Sequence, residues 1–516
     1  MTQELDVRVA VEEALQRKDR EALRAVLWEL FDQGRLPAIV EELDPAKLVA
    51  LVETLGEETF ADLLTKLGPP SAAAVLLRLG RAARDVLEDV LWRLFEHDRL
   101  VGLLRAIQPA ELAALAELLG DETFGEILAE LDPQDAAQIL ERLSSAEAAD
   151  VLEAMAPDDA ADVFAQLDPA EARQILVEME PLEAKELQEL LSYPPDTAGG
   201  RMTPAYVALL PDVRVDQAIA ALRKVAEEVE TIYYAYVVDE DNHLLGVVSM
   251  RDLVLNPPYR TIGEIMEREI VKVPATADQE EAARLLIEEG LLAIPVVDEQ
   301  DRLLGIITVD DVADILEREV TEDIERLGGS QPLEVPYTRA TPVYLWRRRV
   351  GWLLLLFVAE MYTGTVLRHF EQELEEAIAL AFFVPLLIGT GGNAGSQVVT
   401  TLVRAMAVEG ISLRDFFRIF PKEFIAGLLA GLTMGIAGFL RAEILGVDPA
   451  ISLTVGTALF CIVLWAVTVA TLLPLLLKRL GIDPAVVSSP FIATLVDGTG
   501  LVIYFNVARF ILGLHS

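Results

Sequence analysis

Asp497 stands inside an apolar run, "FIATLVDGTGLVIYF" from Phe491. Removing a carboxylate from water costs several kcal/mol unless something compensates it, so an acid at this place marks a functional site. Two more polar groups share its surroundings. "VPLLIGTGGNAGSQ" from Val384 sets the amides of Asn393 and Gln397 among Gly389, Gly391, Gly392 and Gly395, and "LLFVAEMYTG" carries Glu360. With Thr499 two residues beyond the acid, the candidate lining of an ion path is Asp497, Asn393, Gln397, Gly392, Thr499 and Glu360. Carboxylates and carbonyl or amide oxygens, without a His–Cys cluster, suit hard cations such as magnesium or calcium. Magnesium sheds its waters reluctantly, so a ring of carboxylates and carbonyls can hold it hydrated. Each feature also has a structural reading. The glycines fit a close helix contact, or, with Pro385, a broken helix that lines a wet cavity. Glu360 fits a structural polar contact. For Asp497 the structural partner is Arg509, but 12 residues of helix separate the two by roughly 18 Å.

The elements that must position these groups are membrane spans. Five stretches, about 350–368, 377–403, 423–445, 452–477 and 489–513, are apolar over the ~20 residues that a bilayer requires. Arg347, Arg348 and Arg349 precede the first; Arg404, Arg414, Arg418 and Lys422 follow the second; Lys478 and Arg479 follow the fourth. The opposite loops hold "EQELEE" and "GVDPAIS". Positive-inside bias then puts the N-terminal part in the cytoplasm and the C-terminus outside. No apolar signal peptide opens the chain, in agreement with that orientation. From Thr341 onward, 12 acids balance 12 bases; the first 340 residues hold 72 acids and 30 bases, the whole of the −42 net charge. Such acidity excludes a nucleic-acid partner and repels itself unless cations screen it. Cys461 is the single cysteine, so no intrachain disulfide forms. His97, His243, His369 and His515 are scattered, and no nucleophile–base or phosphate-loop arrangement points to an enzyme.

Repeats organise the acidic part. Twelve-residue units begin at 131, 143, 155, 167 and 179, as in "LDPQDAAQILER" and "MAPDDAADVFAQ". Each opens on Pro or Ser with acids in the first turn, then shows an apolar pair, the pattern of a short amphipathic helix that must stack in a superhelical array. "PAKLVALVETLGEETFADLLTKL" from Pro45 matches "PAELAALAELLGDETFGEILAEL" from Pro109 at a spacing of 64. Two α/β units follow, "YAYVVDEDNHLLGVVSMRDLV" from Tyr234 and "AIPVVDEQDRLLGIITVDDVA" from Ala293. Their Ser249–Asp252 and Thr308–Asp311 turns suit a ribose or phosphate at a helix N-terminus, or equally a plain hydroxyl N-cap with an acid in the first turn.

Those paired units resemble a CBS-domain pair. Helical repeats, a CBS pair and five spans in that order resemble the MgtE family of magnesium transporters. The likeness is carried by "PLLIGTGGNAGSQ", by "RLGIDPAVVSSPFIATLVDGTGLVIYF" from Arg479 and by "SYPPDTAGGRMTP" from Ser192. It implies a multidomain membrane protein: a helical repeat domain over 1–196 with one extra 64-residue copy, CBS domains over 197–260 and 261–320, a connecting plug helix over 321–346 and a five-helix transmembrane domain over 347–516. It further implies a homodimer in the cell membrane, Asp497 holding hydrated magnesium on the dimer axis, and cytosolic magnesium sensing by Asp278, Glu280, Asp311, Asp314, Glu319, Glu322, Asp323, Asp158, Asp162 and Asp483. The chain departs from the family at Gly498, where a β-branched residue is usual, which implies a looser local helix, and at Glu360, where an uncharged one is usual.

The expected function is a magnesium-selective path into the cytoplasm, closed when magnesium bridges the acidic faces. The alternatives are a membrane-anchored sensor whose CBS pair binds an adenine nucleotide such as ATP, and a carrier coupled to protons or sodium. The absence of a visible inverted repeat favours the channel.

Overall fold

The computed structural model describes residues 10–514 apart from 12, 98, 227, 228, 334, 336 and 410; His515 lies outside them. Contacts divide the chain into one compact unit up to Ile315 and another from Leu316 onward.

In the first unit the repeats become helices. Those of the twelve-residue units begin at Pro133, Ser145, Pro157, Pro169 and Pro181, each twelve residues after the last. Asp132, Ser144 and Asp168 cap their helices with side-chain oxygens, leaving pairs such as Ala148/Ala149 and Val151/Leu152 to fill the core. The 64-residue copy is equally regular. Helices starting at Arg20, Leu36, Pro45, Glu57 and Pro69 recur at Arg84, Leu100, Pro109, Asp121 and Pro133. Even the ties repeat: Arg20 donates to Thr59 Oγ1 at 3.2 Å and Arg84 to Thr123 Oγ1 at 3.0 Å. Each guanidinium also lies beside a left-handed glycine, Gly56 or Gly120, which ends one helix and starts the next.

The two α/β units form three-stranded sheets in the order β1 (Ala208–Leu209), β2 (Tyr234–Val238), β3 (Leu244–Ser249) and β4 (Val273–Pro274), β5 (Ala293–Val297), β6 (Leu303–Thr308). In both, the first pairing is parallel and the second antiparallel, with a register shift in the same place, Val237/Val238 and Val296/Val297. Their turns meet across an approximate twofold: Leu244 N–H donates to Asp301 O and Leu303 N–H to Asn242 O, both at 2.9 Å.

Among its described residues the second unit holds five helices long and apolar enough to cross a membrane: Pro342–His369, Val384–Val408 preceded by a 3₁₀ turn at Ile378–Phe383, Phe416–Leu445, Pro449–Arg479 and Ser489–Leu512. Small residues set their spacing. Gly427, Gly431, Gly435 and Gly438 line one buried face of the third helix against the fourth. A Cβ on Gly435 would stand 2.8 Å from Gly456 O, and one on Gly456 2.9 Å from Gly435 O. Since lipid offers no hydrophobic drive for helix association, that backbone approach is what holds the pair. Gly435→Val is expected to cost about 1–3 kcal/mol of overpacking, read as a lower melting temperature in detergent; an unchanged melting temperature contradicts the contact.

Two expectations are corrected here. "GTGGNAGSQ" does not break its helix, which runs unbroken from Val384 to Val408. Its glycines are places of close approach: a Cβ on Gly391 would meet Ile462 and Val496, and one on Gly395 would meet Ile492. The connecting helix, expected over 321–346, is the end of a helix that starts at Val309 and stops at Leu327. Gly328 and the left-handed Gly329 halt it, and the next helix begins at Pro342, capped by Thr341.

Candidate functional site

The first, second and fifth membrane helices converge on Asp497. Gly392 makes room for the second: a Cβ there would lie 3.2 Å from Ala493 Cβ and 3.7 Å from Asp497 Oδ1. Beside Gly392 runs a polar stripe at helical spacing, Thr390, Asn393, Gln397 and Thr400, of which Asn393, Gln397 and Thr400 are exposed. Asp497 itself is half-buried and takes no hydrogen-bond or ion-pair partner among the described residues. Arg509 is not available to it. That guanidinium pairs with buried Glu373 and lies over the Phe370 ring, which disposes of the structural partner weighed from the sequence. Glu360, exposed on the first helix, stands close enough to Asp497 for the two charges to act on one another. Thr499 turns away: its hydroxyl accepts from Trp465 Nε1 at 2.9 Å. Nor is the helix loosened at Gly498, which lies within the continuous helix Ser489–Leu512 and receives Tyr362 of the first helix.

The acids expected to sense cations fall into two groups. In the first unit, Asp158 and Asp162 lie on the helix Pro157–Phe164, and Asp311 opens the helix after β6. Asp158 Oδ1 is buried without a partner, and burial, then Asp311 and Asp159, push its carboxyl well above the usual range. Asp159, which the sequence reading did not select, is pushed up to about 7 by burial, Asp311, Asp162 and Glu230. Its signal was the doubled acid in the first turn of "PDDAADVF", where the first turns of the other units carry one. Arg201 is the cation beside this group. It donates to Asp162 Oδ2 at 2.7 Å and to Gln279 Oε1 at 2.9 Å, tying the helical repeats to the second CBS helix. Asp314 adds its charge to Asp311. Asp278 caps its own helix through Glu280 N–H at 2.8 Å.

In the second unit, Glu319, Glu322 and Asp323 lie on the last turns of the helix ending at Leu327, with Asp483 in the loop before the fifth helix. Arg326 pairs with both Glu322 and Asp483. Asp323 is pushed up to about 6 by burial, Asp483 and Glu319, against Arg404. Leu327 joins the apolar core of the membrane helices and Gly329 meets Trp352 and Pro490, so the end of this helix is seated on them. No three acids, histidines or cysteines among the described residues stand close enough together to enclose one metal ion.

At the suggested nucleotide turns, Ser249 Oγ donates to Asp252 Oδ2 at 2.5 Å and Thr308 Oγ1 to Asp311 Oδ2 at 2.7 Å. Ser249 Oγ also accepts from Asp252 N–H as a helix cap, and Asp311 Oδ2 also accepts from Thr308 N–H at 3.0 Å, which is the plainer of the two readings.

Comparison with known proteins gives these parts their setting. Residues 384–507 match a family described as a divalent cation transporter, MgtE; 95–196 match the MgtE intracellular N domain; 198–257 and 262–318 match CBS domains. The chain is 48% identical over 329 residues to the magnesium transporter MgtE of Thermus thermophilus, covering 63% of this chain and 72% of the relative. It is 36% identical over 323 residues to the MgtE of Enterococcus faecalis, covering 63% and 71%. Among solved structures it is similar to the soluble part of a magnesium transporter (29% identity, TM-score 0.42, 54% of this chain and 99% of that one). It is also similar to the cytosolic domain of the Mg2+ channel MgtE in complex with ATP (33% identity, TM-score 0.38, 60% and 99%). Sequence identity over that span, with the membrane, N-terminal and CBS domains all matched in order, makes the chain a member of the MgtE family.

Proposed function

We propose that this protein is a magnesium channel of the cell membrane, working as a homodimer with its N-terminal domains in the cytoplasm, and that cytosolic magnesium closes it. One observation carries the reading: Asp497 sits against Gly392 at an exposed stripe of Asn393, Gln397 and Thr400, within helices of membrane length. Such a stripe cannot face lipid without a cost for every polar group. A second copy and a wet path between the two remove that cost. Each unit charge crossing 100 mV gains ~2.3 kcal/mol, so a divalent ion needs no coupled partner to enter.

The acids of both cytosolic groups fit a hard cation, since Asp158 presents a buried carboxylate oxygen without a donor. Asp158, Asp159 and Asp311 in the first group, and Asp323, Glu319 and Asp483 in the second, stand too far apart to enclose one bare ion and would draw hydrated magnesium between them by charge, through its waters. The cation supplies the charge that lets these faces stay together. An adenine nucleotide at the CBS pair would modulate this cycle rather than replace it, because using Ser249 or Thr308 means breaking a helix cap.

Protons must act in the same direction as magnesium. With carboxyls raised to about 7 at Asp159 and about 6 at Asp323 in the assembled state, that state binds more protons than the opened one, where the ordinary value is near 3.9. Assembly is therefore favoured as pH falls and weakens as pH rises from about 4 to 7, with no further change above. The magnesium needed for half-closure is expected to rise between pH 5.5 and 7.5; a flat dependence contradicts the assignment.

The test of function is recording from the purified protein in a planar bilayer. Magnesium current that reverses at the magnesium equilibrium potential is the expected result. Reversal that follows an imposed proton or sodium gradient identifies a coupled carrier instead, and absence of any ion flow leaves only the anchored nucleotide sensor.

A further inference from the structure

Two carboxylates, not one, lie in the middle of the membrane domain, and no basic residue is at hand to neutralise either. Lys, Arg and His are absent from 350–367, 384–403, 423–440, 450–477 and 489–508, the central portion of every span. Glu360 lies 11 residues beyond Arg349, about 16 Å along a helix, near the midplane of a ~30 Å hydrocarbon core. Its side chain is exposed on this chain, and a charge there cannot be left to lipid.

The seating of the first helix on the fifth explains its position. Trp352 Nε1 donates to Ser488 Oγ at 3.1 Å at the cytosolic end, and Phe370 stacks on Phe505 with ring centres 4.8 Å apart at the other. Between them Tyr362 occupies the space that a side chain at 498 would fill: a Cβ on Gly498 would stand 2.6 Å from Tyr362 Cε1 and 3.2 Å from Thr363 Oγ1. The absence of a side chain at Gly498 thus lets the first helix close in beside Asp497. A separate observation points to a ligand. Thr363 is 5% exposed, and its Oγ1, facing Gly498 one turn beyond Glu360, is buried without a hydrogen-bond partner.

We propose that Glu360 is a specificity-determining residue of the ion path: a second carboxylate that Gly498 and Tyr362 hold beside Asp497, where the two acids and the Thr363 hydroxyl favour a divalent over a monovalent cation. The proposal rests on Asp497 lining the path. With no basic residue in the central portion of the spans, a cation on the path balances the charge that the pair carries when ionised. Two negative charges attract a divalent ion twice as strongly as a monovalent one at the same distance, so the second acid adds to affinity and to discrimination together.

The full-length protein in phosphatidylcholine–phosphatidylglycerol vesicles, with trapped magnesium- and sodium-sensitive dyes, provides the test. Glu360→Gln is expected to raise the half-saturating magnesium concentration at least tenfold, ~1.4 kcal/mol, and to admit sodium, while Glu360→Asp restores most of both. Gly498→Val, which displaces Tyr362, is expected to shift the curve likewise, and the double variant no further than either alone. Superimposable saturation curves for Glu360→Gln and the parent, with uptake lost in Asp497→Ala, overturn the role of Glu360 and leave the path standing. Additive shifts in the double variant overturn the seating of Tyr362 as the link. Undiminished uptake in Asp497→Ala overturns the path, and the proposal with it.

Discussion

Vesicles carrying Asp497→Ala are expected to take up magnesium at least about a hundredfold more slowly than the parent, a loss of ~2.7 kcal/mol or more in the stabilisation of the ion on its path. Alanine removes one of the two charges that offset the desolvation of a divalent ion at mid-membrane, and Glu360 alone does not replace it. Asn393 and Gln397 are neutral, and Thr499 is committed to Trp465. Asp497→Asn, which keeps the shape and loses the charge, is expected to be nearly as slow. A second readout separates a functional defect from a folding one. Asp497 makes no described hydrogen bond or ion pair, so its half-buried carboxylate costs stability rather than supplying it. The alanine protein should melt in detergent at a temperature no lower than the parent's. Retained uptake would sink the transport reading; lost uptake with a collapsed melting temperature would show that the acid is structural after all.

The cytosolic switch should respond as strongly to neutralising its acids. Unit charges ~4 Å apart repel by ~4 kcal/mol at an effective dielectric of 20, and ~5.5 kcal/mol carries a two-state equilibrium from 1:99 to 99:1. Asp158→Asn, Asp159→Asn and Asp311→Asn together remove the mutual repulsion of the first group. In the parent, region 190–345 is expected to be cleaved by protease without magnesium and protected at millimolar magnesium. The triple variant is expected to be protected in both, with its channel closed at magnesium levels that leave the parent open. Asparagine at 311 still accepts from Thr308, so the helix cap survives. Equal cleavage of the parent with and without magnesium contradicts cation-driven closure directly.

Much of this protein was legible before any coordinates. The twelve- and 64-residue repeats, the paired α/β units and the five spans are periodic or compositional, and local periodicity is what dictates helices, strands and membrane segments. Helix starts fall at the spacing read from the letters. Asp497 also stood out from sequence, because an acid in an apolar run is costly wherever the rest of the fold lies.

What the letters left open was every choice between two packings. A run of glycines reads equally as a broken helix or a close contact. Only Ile462, Val496 and Ile492, 71 to 105 residues away and filling the space beside Gly391 and Gly395, decided for contact. Arg509 had one visible acid in its own helix, yet it paired with Glu373, 136 residues earlier. Arg201 and Asp159 gained their places in the acidic group, and Gly498 its role as the seat of Tyr362, from neighbours on other elements. Propensity costs about 1 kcal/mol for a glycine in a helix, less than such a contact returns, and that contact is written nowhere near the residue it governs.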